Sequence, residues 1–323
     1  MSFLLVTGGA GFIGSHLVTG LVARGDRVRV LDDLSSGRRA NLAHLDVGGP
    51  GSDAQVELSQ GSITDPAACA RAVVGVEGVF HEAAQVSVPA SIERPEQSYE
   101  INVMGTLHML EAARQEGVER FVFAASSAAY GDSETLPKRE DAPPAPCSPY
   151  ASGKLAGEHL LRVYGRCHGM RTVSLRYFNV FGPRQADDSP YSGVIALFAR
   201  TLLEGRSPTI FGDGEQTRDF TYVEDVVLAN LAALDADLDE PGAVINVGSG
   251  ERTSLNDLYR TMAELLHADV EPEYAPQRPG DVRHSLACTE RAEQLLGHRP
   301  SVDWRTGLER TLDWYRQSVG SPG

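Results

Sequence analysis

The stretch "VTGGAGFIGSHL" (residues 6–17) limits what this chain can fold into more than any other. It completes an apolar run, "SFLLVTG" (2–8), and opens an amphipathic segment, so it reads as strand, tight turn and helix. Gly8, Gly11 and Gly14 stand there at GxxGxxG spacing. Glycine lets the turn close and lets backbone N–H groups approach a pyrophosphate at the helix N-terminus. An ordinary glycine turn could use the same residues, but the strand before it and the helix after it favour a phosphate cradle.

The next hundred residues keep the same rhythm. "RVRVLDD" (27–33), "GVFHEAA" (78–84) and "RFVFAASS" (120–127) look like buried parallel strands. Helical patterns fall between them near 12–24, 66–74 and 98–116. The alternation predicts an α/β fold, a doubly wound (Rossmann) parallel sheet with helices on both faces. Two later runs, "TVSLRYFNVFG" (172–182) and "AVINVGSG" (243–250), read as further strands. Segments 184–242 and 251–323 are loop-rich and punctuated by proline. The expected organisation is a dinucleotide-binding domain over 1–183, to which strand 243–250 returns. The two loop-rich segments would interleave into a smaller mixed α/β lobe over the sheet's carboxyl edge. The loop 46–53 and the tail 318–323 are the candidates for disorder.

Asp32 ends the second strand, where an acidic side chain accepts both ribose hydroxyls and repels a 2′-phosphate. That placement predicts NAD and not NADP; Arg38 and Arg39 read as solvated loop charges. A net charge of −15 argues against nucleic acid as a partner. No apolar run approaches the ~20 residues that span a bilayer, and "FLLV" is too short for a secretory leader. Cys69, Cys147, Cys167 and Cys288 form no metal-ligand spacing and read as free thiols in a reducing, cytoplasmic setting. None of the nine histidines makes a metal pair, so no metal is expected, and His81 and His284 read as packing or pocket-wall residues.

"SPYASGKLAGEHLL" (148–161) places Tyr150 four residues ahead of Lys154 at the head of a helical segment, on one face. Packing or solubility would account for such a pair alone. Upstream, "AASSAAYG" (124–131) puts Ser126 and Ser127 just past a strand end, where a doubly wound sheet presents its ligands. Capping of the next turn is the alternative use for those serines. A phenol with its ordinary pKa near ~10 is a poor base at neutral pH. A lysine close by, with a positive nicotinamide ring, would favour the phenolate. A fall of about three units, worth ~4 kcal/mol, would fit Tyr150 for general-base work near pH 7.

The order strand-end serine, then YxxxK, resembles the active site of the short-chain dehydrogenase/reductase family. "TGGAGFIGSHL", "HEAAQVSVPASI", "NVMGT", "SPYASGK", "LRYFNVFGPRQ", "GDGEQTRDFTYVEDV", "NVGSG" and "RPGDVRHS" extend that resemblance over nearly the whole chain. They match the extended branch of the family and, within it, the UDP-sugar 4-epimerases, looking most like those of UDP-N-acetylglucosamine.

The resemblance implies an NAD lobe, a smaller UDP-sugar lobe and a homodimer through the helices near 102–116 and 150–168. It implies catalysis by Ser126, Tyr150 and Lys154, the lysine also holding the nicotinamide ribose. The implied cofactor site adds Phe12, Ile13, Asp33, Ser62, Ile63, Ala83, Asn102 and Tyr177 to Gly8, Gly11, Gly14 and Asp32. For the substrate, Arg218 and Arg278 match the positions that clamp the UDP diphosphate, a task suited to guanidinium forks. Ion pairs with Asp219 or Asp281 are the alternative for those arginines. Asn179 would meet the sugar-phosphate region. Ser87 would reach the sugar or cap a helix, and Val194 and Phe211 would line a uracil pocket or pack in the core. Ser127 and Asp281 complete the implied substrate set. Ser285 matches the wall facing the sugar's C2 substituent, where glucose-only relatives carry tyrosine and acceptors of N-acetylated sugars carry a small residue. Cys288 stands where relatives often have Asp.

The implied reaction is 4-epimerisation of a UDP-hexose, N-acetylated or plain, through a transient 4-keto sugar. A nucleotide-sugar dehydratase needs an Asp-Glu pair just past the strand-end hydroxyl, and this chain has Ser127 and Ala128 there. UDP-glucuronate 4-epimerases usually carry Thr at the Asn179 position, which ranks that alternative lower. A non-catalytic NAD-binding regulator would not need Ser126, Tyr150 and Lys154 together.

Overall fold

The computed structural model describes residues 1–187, 192–277 and 282–319. Fourteen strands are present among them. They are β1 (Phe3–Thr7), β2 (Arg27–Asp32), β3 (Val47–Gly48), β4 (Val56–Gln60), β5 (Gly78–His81), β6 (Arg120–Ser126) and β7 (Arg171–Tyr177), then β8 (Asn179–Phe181), β9 (Thr209–Phe211), β10 (Thr217–Arg218), β11 (Phe220–Tyr222), β12 (Ala243–Val247), β13 (Thr253–Ser254) and β14 (Glu273–Ala275). Eight of them form one sheet in the order β12-β7-β6-β5-β1-β2-β4-β3, and every pairing in it is parallel. The order reverses direction at β1, between β5 and β2, which is where a doubly wound sheet opens a crevice for ligands.

The helices follow from the sequence pattern with one refinement. α1 (Phe12–Arg24), α2 (Pro66–Val73), α3 (Val88–Glu93), α4 (Pro95–Tyr99), α5 (Thr106–Glu116) and α6 (Pro149–His168) belong to the first half. The helix expected near 98–116 is α4 and α5 joined by a π-helical turn, Glu100–Gly105. α7 (Val194–Leu203), α8 (Val223–Asp235), α9 (Leu255–Leu266), α10 (Glu290–Leu296) and α11 (Trp304–Val319) follow. Leu17, Val18 and Leu21 of α1 share one core with Val226 and Ala233 of α8. Met109 and Leu110 of α5 share the other with Cys69 of α2 and Leu161 of α6. Both sheet faces are thereby covered, the condition under which near-continuous apolar strands are stable.

Strands β3 and β4 lie outside the sequence expectation, and β3 begins inside the loop 46–53. β4 reads Val-Glu-Leu-Ser-Gln, and its Glu57 is buried, held by Arg27 at 2.6 Å and Arg29 at 2.8 Å. A paired buried carboxylate replaces the apolar residue that would have marked the strand. The run 172–182 divides at Phe178: β7 stays in the large sheet, while β8 turns away to pair with β11. Phe181, Ile195, Phe198, Ile210, Tyr222, Leu258, Met262 and Leu312 then build a separate core beneath α7, α9 and α11. The small pairs β9–β14 and β10–β13 flank it.

Candidate active site

The glycine turn is closed by contacts that only glycine permits. Gly8 has φ of +68°, and a Cβ there would stand 2.8 Å from the Ala83 backbone nitrogen. On Gly14 a Cβ would lie 2.2 Å from the Gly8 carbonyl oxygen. Gly11 caps α1 and donates its N–H to Gly8 O at 3.0 Å. The turn therefore presents bare backbone at the head of a helix, a surface that fits a pyrophosphate. Phe12 and Ile13 begin α1, and their side chains turn into the two neighbouring cores.

Asp32 ends β2 beside this turn, its carboxylate fixed by the N–H groups of Ala10 at 2.9 Å and Leu34 at 2.8 Å. Burial raises its pKa, the two N–H donors oppose that, and the neighbouring Asp33 charge adds to it. Asp33 itself closes a local turn by accepting from Ser35. Ser62 bonds Thr64 in the turn after β4, and Ile63 is buried with its carbonyl accepting from the Cys69 thiol. Ala83 donates its N–H to Thr7 Oγ1 at 3.2 Å. Asn102, buried in the π-helical turn, exchanges two hydrogen bonds with the Gln85 backbone and so holds the chain after β5.

Ser126, Tyr150 and Lys154 meet at the carboxyl end of β6. Ser148 caps α6 by accepting from Ala151 N–H at 3.1 Å, and Pro149 opens it, so Tyr150 lies in its first turn. The Tyr150 N–H donates to Ser91 Oγ at 3.2 Å. One turn on, Lys154 is buried and donates from Nζ to the Ala124 carbonyl at 2.7 Å, 4.9 Å from the Phe123 ring centre. Ser126 Oγ accepts from Ala128 N–H, the capping role, and also sits in hydrogen-bonding position to the Tyr150 phenol.

The expected fall in the Tyr150 pKa is not what the chain alone produces. Burial pushes the phenol up, and the Ser126 hydroxyl is the group opposing it. Lys154 donates to the Ala124 carbonyl and engages Glu82 electrostatically. Its own pKa is pushed down to about 8 by burial, against the pull of Glu82.

Glu82 is absent from the sequence expectation. It follows β5, accepts from the Tyr177 hydroxyl at 2.8 Å, and that hydroxyl accepts from Asn230 Nδ2 at 2.7 Å. A carboxylate at the carboxyl end of a parallel strand was the available signal. On the next residue back, His81 bonds Thr7 at 2.8 Å and Thr106 at 3.1 Å; burial lowers its pKa to about 3, so it is a neutral packing group.

The expected substrate residues lie on the smaller sheets. Arg218, in β10, donates to the carbonyls of Thr217 and Arg283. Asp219 turns inward, accepting from Ser249, Gly250 and Ala287 N–H groups. Arg283, Arg252 and Arg218 all lie close enough to His284 to lower its pKa, after burial. The group includes Arg252 and Arg283, which the motifs did not single out, and Arg283 is ion-paired with Asp213 at 2.8 Å. Ser285 is half-buried and donates its N–H to Thr217 O at 3.1 Å. Cys288 is buried and donates its N–H to Lys138 O, so the segment 284–288 is laced in from both sides.

Asn179 has an exposed side chain, and its N–H donates to Asp219 O. The Ser87 hydroxyl caps α3, accepting from Ala90 N–H at 3.2 Å. Ser127 opens a 3-10 turn. Val194 begins α7 and packs on the separate core beneath α7, α9 and α11, and half-buried Phe211 ends β9. Arg278 and Asp281 lie outside the described residues. Among the described residues, no helix is long and apolar enough to cross a membrane, and no cluster could hold a metal.

A glycine cradle, a strand-end acid and a serine–tyrosine–lysine set on one parallel sheet define a dinucleotide-dependent enzyme. The profile of the NAD dependent epimerase/dehydratase family matches residues 4–248, and the chain belongs to that family. It is 40% identical to the UDP-glucose 4-epimerase of Mycolicibacterium smegmatis, over 97% of this chain and 98% of that protein. The UDP-N-acetylglucosamine 4-epimerase of Methanobrevibacter ruminantium, solved with UDP-N-acetylmuramic acid, superposes with a TM-score of 0.91 at 36% identity, covering 98% of this chain and 99% of that one. The UDP-glucose 4-epimerase of Thermus thermophilus, solved with NAD, gives 0.87 at 40% identity, covering 98% of this chain and 100% of that one.

Proposed function

We propose that this protein interconverts UDP-hexoses at C4, with NAD held throughout and Tyr150 as the base. The observation that carries the reading is that α6, with Tyr150 and Lys154, is tied to the carboxyl end of β6, with Ser126, in the same parallel sheet whose first strand leads into the Gly8–Gly14 turn. NAD, when bound, supplies the hydride acceptor for C4, returns the hydride, and adds a positive charge to the site. Gly8, Gly11, Gly14 and Asp32 would hold it.

Tyr150 takes the proton of the sugar 4-hydroxyl and returns it after the 4-keto sugar has presented its other face. Ser126 hydrogen-bonds the phenol and steadies its charge. Lys154 keeps a positive charge in a compartment where burial alone would hold the phenol protonated. Arg218, with the cations around His284, would clamp the diphosphate so that the keto sugar turns without leaving. Arg278 and Asp281 are assigned to the same task. Small Ser285 leaves room for an acetamido group at C2, so both N-acetylated and plain UDP-hexoses are proposed substrates. Two lobes would hold the two ligands, cofactor over 1–183 and substrate over 184–242 and 251–323. A homodimer through α5 and α6 is part of the reading. Light scattering should give twice the monomer mass of 34.7 kDa. The activity is tested by incubating the protein with UDP-glucose and UDP-N-acetylglucosamine and following the anomeric signals of their 4-epimers by NMR.

A further inference from the structure

We propose that Ser91 is a positioning residue for the base: its hydroxyl holds the backbone of Tyr150 and fixes where the phenol stands relative to the loop after β5. The proposal rests on the epimerase reading, because it takes Tyr150 as the base.

The need for such a hold follows from how α6 begins. The first N–H groups of a helix have no partner within it. In α6, Pro149 has no N–H to satisfy, the Ala151 N–H goes to Ser148 Oγ at 3.1 Å, and the Ser152 N–H reaches Ser148 O at 2.9 Å. The Tyr150 N–H is the donor that these local bonds leave over. It is met from another helix, by Ser91 Oγ at 3.2 Å.

Ser91 can only accept there. It lies fully buried in α3, and its single hydroxyl proton is given to Val88 O at 2.6 Å. The lone pairs of that oxygen are what remain for Tyr150. The Ser91 N–H donates to Ser87 O at 2.9 Å, and Ser87 Oγ caps the same helix at the Ala90 N–H. At the other end of the loop, Asn102 exchanges bonds of 2.9 Å and 3.0 Å with the Gln85 backbone. Gln85 Nε2 then donates to Ser87 O at 3.0 Å. Residues 85–91 are thus pinned at both ends, and the second pin is the main chain of the base.

The two holds on the head of α6 differ in kind. Lys154 ties the helix to Ala124 O through a long, flexible stem. Ser91 reaches the main chain of Tyr150 through one short side chain, so it sets the Cα from which the phenol projects. Without it the Tyr150 N–H has no local acceptor, and the first turn can shift to find another. Misplacing a reacting group by about 1 Å costs up to ~10²-fold in rate.

The test is Ser91→Ala in the full chain with its nucleotide bound. Rates are expressed per bound nicotinamide and measured with UDP-glucose and UDP-N-acetylglucosamine, each carrying hydrogen or deuterium at C4. The Tyr150 amide should exchange with solvent deuterium faster than in the wild type, as read by mass spectrometry of its peptide. Turnover, kcat, should fall about tenfold while KM changes by less than about threefold, since the loss falls on the reacting geometry and not on binding. The deuterium effect on kcat should rise, because transfer at C4 becomes the slow step. If Ser91→Ala yields no loaded enzyme, Ser91→Cys, of similar shape but a weak acceptor, carries the same expectations. A serine held only for stability would lower the yield or the unfolding midpoint and leave kcat per nicotinamide and the isotope effect unchanged; that result overturns the proposal. Unchanged exchange at the Tyr150 amide overturns it as well. No turnover of either sugar by the wild-type protein removes the epimerase reading instead, and the amide exchange still decides whether Ser91 holds Tyr150.

Discussion

Lys154 donates to the Ala124 carbonyl at 2.7 Å, two residues before the end of β6. That bond ties the first turns of α6, which carry Tyr150, to the strand that carries Ser126. A buried ammonium is tolerated there because its proton is given to a carbonyl and its charge is felt by Glu82.

Tyr150→Phe keeps the ring and removes the acid–base group. NAD and UDP-sugar should still bind, and turnover should fall at least ~10²-fold, the usual loss for such a group. Because burial raises the Tyr150 pKa, wild-type turnover should climb with pH as the phenol ionises. The residual rate of the variant should lack that climb. Steady-state kinetics across pH decide it, and near-normal turnover would remove Tyr150 from the base's role.

Gly14→Ala tests the cradle. With the Gly8 carbonyl only 2.2 Å from the new Cβ, the turn must open. Overpacking of this kind costs about 1–3 kcal/mol, and the variant should lose bound nucleotide together with part of its stability. Urea denaturation and the nucleotide released on unfolding measure both, and full occupancy with an unchanged midpoint would contradict the close-approach argument.

The nucleotide released from the wild-type protein should be NAD and not NADP. Asp32 is held in place by Ala10 and Leu34, so it cannot swing aside for a 2′-phosphate without losing both bonds. Chromatography of the denatured supernatant settles the point; mainly NADP would sink the reading of Asp32.

How far the sequence could be read depended on the range of the interactions. Apolar strands and the glycine turn announce themselves locally, as "SFLLVTG" and Gly8–Gly14 do. β4 did not, because Glu57 takes a core position by pairing with Arg27 and Arg29 of the neighbouring strand. Glu82 meets Tyr177 only after β5, β6 and β7 are laid side by side. Arg252 and Arg283 join Arg218 around His284 through β10, β13 and the segment 284–288. Where the Lys154 ammonium points was likewise illegible, because helix spacing fixes a shared face and not the Ala124 carbonyl that takes its proton.

Ser285→Tyr addresses substrate choice. The segment carrying it is laced to Thr217 and Lys138, so a bulky side chain cannot be relieved by a backbone shift without breaking those bonds. Turnover of UDP-N-acetylglucosamine should be abolished and that of UDP-glucose largely kept, since a clash penalises only the larger sugar. Equal loss on both, or no change on either, would remove Ser285 as the gate.

The most direct measurement is an NMR assay of the purified protein with UDP-glucose or UDP-N-acetylglucosamine and no added NAD. A cofactor that is regenerated in each cycle and never released predicts conversion to an equilibrium mixture of the two 4-epimers, with no net accumulation of reduced nicotinamide in the absorbance spectrum. No epimer from any UDP-hexose, or product formed only in proportion to NAD supplied, would contradict the account.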